Sequence, residues 1–414
     1  MPSGALTLLP ADEARRILAE TPPVGHERVP LAASAGRVLA APFDAPADLP
    51  GERRSVMDGF AVRAADVRGA SPSSPVTVTV IGNVPMGEVF AGAIAAGQAV
   101  AIATGGVVPE GGDAVVMVEH TAPAAGGGGR AGVVVSREVS AGANVVQPGE
   151  DVRRGGRLLP AGRRLRPQDV AVLATFGVAT VDVFRRPRVA VMSTGNELCA
   201  PDETPRPGQV RDSNGVTLAA QVAAAGCDVT LAGIVRDEAA ALRREAVRLL
   251  ADHDAVILSG GSSIGTKDLS ADALADLEPP GILFHGIDIR PGKPTLVARA
   301  GAKPVIGMPG FPTSSLVVFD AFIRPMLWRL GGETAREPWP ARRAARIARE
   351  HRSVVGREDY LRVRLVDRDG ATWAEPLPGG SATLSNVVLA DGLVLVEAAT
   401  PALAAGDAVE VLLY

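Results

Sequence analysis

Two hydrophobic rhythms divide the chain. Between residues 75 and 139, Val76–Ile81, Ala99–Ala103, Ala114–Val118 and Val133–Val135 are short β-branched and apolar runs separated by Gly/Pro turns, which predicts strands. The Gly-rich stretch 124–132 reads as a hairpin tip without chemistry. Between 185 and 331 the rhythm changes. Apolar runs at Val189–Met192, Val229–Val235, Val256–Leu258, Ile282–Ile289, Leu296–Val297 and Val305–Ile306 read as buried strands. Helical spacing lies between several of them. Asp212 opens one helix with Leu218, Val222 and Ala225 inward and Gly226 as its stop. Asp237 is expected to cap a second, with Leu242, Ala246, Leu249 and Leu250 inward. Leu269–Leu277 is a third, and a fourth carries Leu316, Phe319, Ile323, Met326 and Leu327 on one face. This alternation predicts a parallel sheet wrapped on both faces.

The flanks are simpler. A helix is expected over Ala11–Glu20, capped by Thr7 or by the turn at Pro10–Asp12, followed by the run Val29–Ala33 and a second short helix near Ser34–Leu39. Prolines 42, 46 and 50 extend the chain, and Asp58-Gly59 signals a turn just before a strand. Pro167 sits in the first turn of a helix running to Phe176. At the far end, Tyr360–Val366, Thr372–Ala374, Leu393–Val396 and Val409–Leu413 predict a small β-barrel, with turns at Gly379–Asn386 and Asp391-Gly392. The expected organisation is a linking domain from 1–46 and 140–184, an inserted β domain at 47–139, an α/β domain at 185–331 and a barrel at 332–414.

Composition narrows the functional classes. A net charge of −4 gives no global attraction to nucleic acid or anionic membrane, so an anionic ligand needs a local cluster. Nothing reaches transmembrane length and the start lacks a signal-peptide pattern. Cys199 and Cys227 form no metal or redox motif, which fits a reduced, cytoplasmic protein. The five histidines are scattered and read as surface or core residues. Nearly all cations are Arg; the only lysines are 267, 293 and 303, and two of these lie in Gly-rich loops of one segment. That bias suggests a need for the compact ammonium.

The strongest chemical candidate is Ser259-Gly-Gly-Ser-Ser-Ile-Gly-Thr-Lys-Asp268. A strand feeding a Gly/Ser loop that opens a helix aims backbone N–H groups at one spot, which suits a phosphate. Lys267 adds a cation and Asp268 a carboxylate for a metal ion or a polar ligand group. Two further loops, at 193–197 and 308–315, follow strands of the same predicted sheet, where ligands of such sheets bind.

The ordered set of motifs resembles the MoeA-type molybdopterin molybdenumtransferases of molybdenum-cofactor biosynthesis, related to the gephyrin E domain. It comprises Ser55-x-Met-Asp-Gly-Phe-Ala61, Thr104-Gly with Pro109-Glu-Gly, Gly149-Glu-Asp151, Ser193-Thr-Gly-Asn-Glu-Leu198, Ser259-Gly-Gly-x-Ser-x-Gly265 with Asp268, Arg290-Pro-Gly-Lys-Pro294 and Met308-Pro-Gly-x-Pro312. The resemblance implies an α/β plus β fold in an elongated four-domain homodimer. It also implies insertion of molybdate into adenylylated molybdopterin, release of AMP and dependence on Mg²⁺, with the site completed by the β domain of the partner subunit. The molybdopterin adenylyltransferase is an implied partner.

Carried onto this chain, the ligand's phosphate meets Gly260, Gly261, Ser262 and Ser263, with Lys267 and Lys293 close by. Pro309, Pro312 and Thr313 belong to the third ligand loop, and Arg290 faces molybdate. Asp58, Thr104, Asp151, Glu197 and Asp268 are the implied catalytic residues, the four carboxylates being the candidate metal ligands. Departures cluster at the ligand: Arg290 and Gly286 where lysines are common, Phe311 where an Asn is common, and Ser262 for Val. They raise two alternatives, a tungstate-using paralogue and a non-catalytic pterin-binding scaffold. A nucleotide-binding oxidoreductase is disfavoured, because no Gly-x-Gly-x-x-Gly follows a strand.

Overall fold

The computed structural model describes residues 8–124, 131–260, 269–334 and 336–414, and the chain divides into two units. One holds residues 42–160 with 175–177; the other holds 1–41, 161–174 and 178–414.

In the first unit the β-branched runs form a six-stranded sheet in the spatial order Ala114–Met117, Gly59–Val62, Gln98–Ile102, Val76–Val84, Gly132–Val135, Thr121–Pro123. Its pairings are antiparallel except that Val76–Val84 runs parallel to Gln98–Ile102. Alternation sends Val62, Val78, Ala99, Val116 and Val135 into one cluster and Ala61, Val84, Val100, Ile102 and Val115 into another. Both sheet faces are therefore covered. The unit's flanking segments pair as well, Phe43–Asp44 with Arg157–Leu159 and Arg54–Ser55 with Val145–Val146.

The second unit contains the α/β layer. Its sheet has the order Asp228–Val235, Arg188–Thr194, Ala255–Ser259, Lys303–Met308, Leu296–Ala300, Pro280–His285. The first four strands are parallel, Leu296–Ala300 runs against them and Pro280–His285 runs against Leu296–Ala300, so the sheet is mixed rather than all parallel. The reason is local: Gly301 and its neighbour make a tight turn between Leu296–Ala300 and Lys303–Met308, and a two-residue connection permits only an antiparallel hairpin. Successive residues of Ala255–Ser259 feed opposite cores. Ala255 and Ile257 join one hydrophobic cluster, Val256 and Leu258 the other. Burying a Leu or Ile of this kind contributes about 1.5–3 kcal/mol.

Several local expectations change. Residues near 34–39 form no helix; Leu31–Ala33 is one 3₁₀ turn, and Gly36 with φ 76° leads into the strand Val38–Leu39. Asp237 does not cap its helix, which runs Ala239–Asp252 from Glu238. The helix that carries Leu316 to Leu327 begins earlier than the loop 308–315 suggests, and is α over Pro312–Val318, π over Phe319–Ile323 and α again over Arg324–Leu330. Pro325 has no N–H to give Ala321, and the wider turn absorbs that loss. The cap proposed at Thr7, the hairpin tip and most of the Gly/Ser loop (261–268) lie outside the described residues.

The C-terminal part closes into a five-stranded barrel, as the strand pattern predicts. Glu358–Arg368, Ala371–Pro376, Arg342–Ile347, Ala408–Leu413 and Gly392–Val396 pair in sequence, and the last returns to the first. Arg342–Ile347 was hidden by its Arg/Ala composition; only Ala345 and Ile347 point inward. The short strand Ile289–Arg290 pairs in parallel with Glu358–Asp359, joining the α/β layer to the barrel.

Candidate active site at the strand ends

Register brings the three loops together. Ser193 pairs with Ser259, and Ser259 with Met308, so the loops after three adjacent parallel strands leave the sheet along one row. Gly260 makes the turn at φ 92°, where an added Cβ would lie 2.3 Å from the Thr194 carbonyl oxygen. Only glycine fits there. The first loop is tied down by Asp237, which accepts the Thr194 hydroxyl at 2.6 Å and the Asn196 N–H at 3.1 Å. The third is tied by Asn214, whose side-chain amide donates to the Gly310 carbonyl at 2.8 Å.

These loops open on a cavity of about 1040 Å³ whose opposite wall comes from the barrel. Glu197, Gly260, Arg290, Lys293, Pro309 and Phe311 line it from the α/β layer; Arg349, His351, Arg357, Asp359, Arg362 and Gly379–Ser381 line it from the barrel. The Pro291-Gly292-Lys293 turn is held by close packing. Gly292 has φ 116°, and a Cβ there would sit 2.3 Å from Val318. Arg290 bonds ionically to Asp359 at 3.5 Å, and Asp359 in turn takes His351 at 3.0 Å. Arg362 is 9% exposed and donates to the carbonyls of Gly379 and Gly380 at 3.2 and 3.5 Å. Burial, helped by nearby Arg290, pulls its pKa below the usual guanidinium value, so an anion in the cavity would relieve it. Five cationic side chains face three carboxylates in the lining, which favours an anionic ligand.

The structure therefore gathers Gly260, Glu197, Arg290, Lys293 and Pro309 on one cavity. Thr313 is 1% exposed, with its hydroxyl 3.5 Å from the Thr383 carbonyl, and Pro312 opens the helix behind the cavity wall. Gly261, Ser262, Ser263, Lys267 and Asp268 lie outside the described residues. In the other unit, Asp58 and Thr104 meet: Thr104 gives its N–H at 2.7 Å and its hydroxyl at 3.0 Å to Asp58 Oδ1. Those two bonds hold the Asp58 carboxyl below its ordinary pKa, the backbone bond contributing more. Asp151 is exposed, and its N–H is bound to the Leu49 carbonyl at 3.1 Å. The barrel residues Arg349, His351, Arg357 and Arg362, and the 379–381 turn, were not singled out from sequence. Gly-Gly-Ser read as an ordinary turn, and nothing in the spacing of the arginines distinguished them from a solvated strand face.

Comparison with known proteins agrees along almost the whole length. Family models match in chain order: the MoeA N-terminal region (domain I and II) at residues 9–177, a probable molybdopterin binding domain at 190–329, and the MoeA C-terminal region (domain IV) at 344–414. This chain belongs to the MoeA family. Molybdopterin molybdenumtransferase of Nostoc sp. is 39% identical over 74% of this chain and 70% of its own length. The enzyme of Synechococcus elongatus is 34% identical over 99% and 98%, and molybdopterin molybdenumtransferase 2 of Mycobacterium tuberculosis 33% over 92% and 94%. The solved molybdopterin biosynthesis MoeA protein from Pyrococcus horikosii is 33% identical, covers 98% of this chain and 99% of its own, and superposes with a TM-score of 0.82. The MoeA fold accounts for the mixed α/β sheet and the closed barrel alike. No helix among the described residues is long and apolar enough to cross a membrane.

Proposed function

We propose that this MoeA-family protein inserts molybdate into adenylylated molybdopterin and releases AMP. The observation that carries the reading is the register-aligned trio of loops opening on a cation-rich cavity, in a chain whose relatives are named molybdopterin molybdenumtransferases. The Gly260 turn and the loop that follows it bind the ligand's phosphate. Phe311, 57% exposed on the rim, offers a face for the pterin ring. Arg290, Lys293 and Arg362 supply the positive wall for a tetrahedral oxyanion. Those relatives' names give no support to a tungstate-specific paralogue or a non-catalytic scaffold.

Mg²⁺, a homodimer, cytoplasmic location and hand-over from a molybdopterin adenylyltransferase complete the reading. The described residues hold no group of three metal-ligating side chains. Mg²⁺ is commonly held by one or two carboxylates together with substrate phosphates, and that mode suits the carboxylates Asp58, Asp151, Glu197 and Asp268. When bound, the ion would neutralise charge on the pyrophosphate. The chain's own part is to bind and orient the pterin, keep Asp58 ionised through Thr104, and face the oxyanion with fixed cations.

Purified protein incubated with adenylylated molybdopterin, molybdate and Mg²⁺ is expected to yield AMP and active cofactor. Binding of the nucleotide without AMP release rejects the catalytic reading.

A further inference from the structure

Among the described cavity residues there is one histidine, and a carboxylate holds it. His351 lies on the short strand His351–Arg352, paired with Ala402–Leu403. Its Nε2 is 3.0 Å from Oδ2 of Asp359, whose side chain is 4% exposed against 17% for the imidazole. The Ser353 hydroxyl also reaches Asp359, at 3.4 Å, and Arg290 approaches the same carboxylate from the α/β layer. An imidazole bonded to a carboxylate through Nε2 carries its second, transferable proton on Nδ1.

The proposed reaction needs such a proton. Molybdate meeting a dithiolate forms two Mo–S bonds and breaks one Mo–O bond. The departing oxide leaves as water only with two protons: MoO₄²⁻ + R(S⁻)₂ + 2H⁺ → [RS₂MoO₃]²⁻ + H₂O, with no change in oxidation state. Guanidinium, ammonium, carboxylate and phenol side chains do not exchange protons near neutrality at their ordinary pKa values, whereas imidazole does. Tyr360, the cavity's phenol, is moreover committed as donor to Glu358 at 2.8 Å.

Resting on the functional reading above, we propose that the His351 imidazolium is the general acid for oxyanion substitution, giving one proton to the oxygen that leaves molybdate, with the second coming from solvent. Asp359 is the positioning residue that orients the ring through its 3.0 Å contact with Nε2. The charged groups that line the cavity with the ring are Arg290, Lys293 and Glu197 from the α/β layer and Arg349, Glu350, Arg357, Asp359 and Arg362 from the barrel. The cations hold the anionic oxygen near the donor, and the carboxylate holds the ring in place.

The test compares full-length wild type with His351→Gln, His351→Lys and Asp359→Asn under saturating adenylylated molybdopterin, following molybdenum incorporation from about pH 6 to 9, the range where imidazole titrates. Wild-type kcat should fall toward alkaline pH as the imidazolium is lost. His351→Gln should lower neutral-pH kcat by about 10²-fold, the lower range for general acid catalysis, with KM unchanged and the alkaline limb gone. His351→Lys should carry the limb to higher pH, and Asp359→Asn, which removes the carboxylate that orients the ring, should lower kcat. A His351→Gln enzyme with the wild-type rate and limb overturns the assignment, as does a loss confined to KM. Thermal melts screen for folding, with His351→Asn as the second variant should His351→Gln unfold; the same outcomes apply to it. A wild type that turns nothing over fails the functional reading and this assignment with it, whereas an active wild type with indifferent His351 variants fails the assignment alone.

Discussion

Thr104 gives both its backbone N–H and its hydroxyl to a single oxygen of Asp58, at 2.7 and 3.0 Å. The two residues are far apart in sequence, and their loops leave neighbouring antiparallel strands, Gly59–Val62 and Gln98–Ile102, at the same edge. The pairing leaves one oxygen of an exposed carboxylate untouched by Thr104 while keeping the group anionic.

Thr104→Val therefore keeps one bond and loses the other. Asp58 should titrate at higher pH than in the wild type, because a hydrogen bond to its charged form has been removed. The acid limb of activity should move upward, and kcat should drop by about tenfold. Carboxyl-carbon NMR titration of Asp58 checks the first statement and a pH–rate profile the second.

Asp237 supports the site from behind, holding Thr194 and Asn196. Asp237→Ala should loosen the loop that carries Glu197 and raise the Kd for adenylylated molybdopterin by about tenfold, again the scale of one lost bond. Calorimetric titration measures this, and an unchanged Kd would show that the loop needs no tether.

Gly292→Ala is the sharper packing test. The added methyl meets Val318 at 2.3 Å in a backbone region that disfavours side chains. It should destabilise the fold by about 1–3 kcal/mol and weaken ligand binding, since Lys293 is the next residue. Denaturant melts and ligand titration read the two effects.

Stability should also depend on pH through Asp254. Burial alone would raise its pKa, but two bonds from Arg185, at 2.6 and 2.5 Å, and the Arg188 N–H at 2.8 Å outweigh it and leave the pKa lowered. A carboxylate lowered on folding stabilises the fold above its unfolded pKa of about 3.9, and that contribution is lost as pH falls through the lower folded value. Asp254→Ala should cost about 2 kcal/mol near neutrality, with the gap to wild type shrinking in acid. Urea melts at several pH values test the sign.

Periodicity carried most of the architecture. The strand runs of the β unit, the helix from Asp212 to Gly226 and the barrel strands beyond residue 357 stand close to where apolar spacing puts them. What escaped depended on long-range pairing. The antiparallel edge of the α/β sheet follows from a hairpin whose strands look like any other buried runs, and Asp237 was claimed by a distant loop before it could cap its own helix. The site divided likewise. Gly260, Arg290, Lys293 and Pro309 advertise themselves through Gly/Pro loop chemistry, whereas His351 and Arg362 reach the cavity only because Ile289–Arg290 pairs with Glu358–Asp359 and brings the barrel against the α/β layer.

The most direct measurement is a crystal structure of the protein with adenylylated molybdopterin. The account predicts the ligand in the cavity between the α/β strand ends and the barrel, its phosphate at the Gly260 turn and its dithiolene end toward Arg290, Lys293 and Arg362. Ligand found instead in the separate cavity of about 920 Å³ lined by Arg15, Trp339 and Arg342, with the strand-end cavity empty, would contradict it.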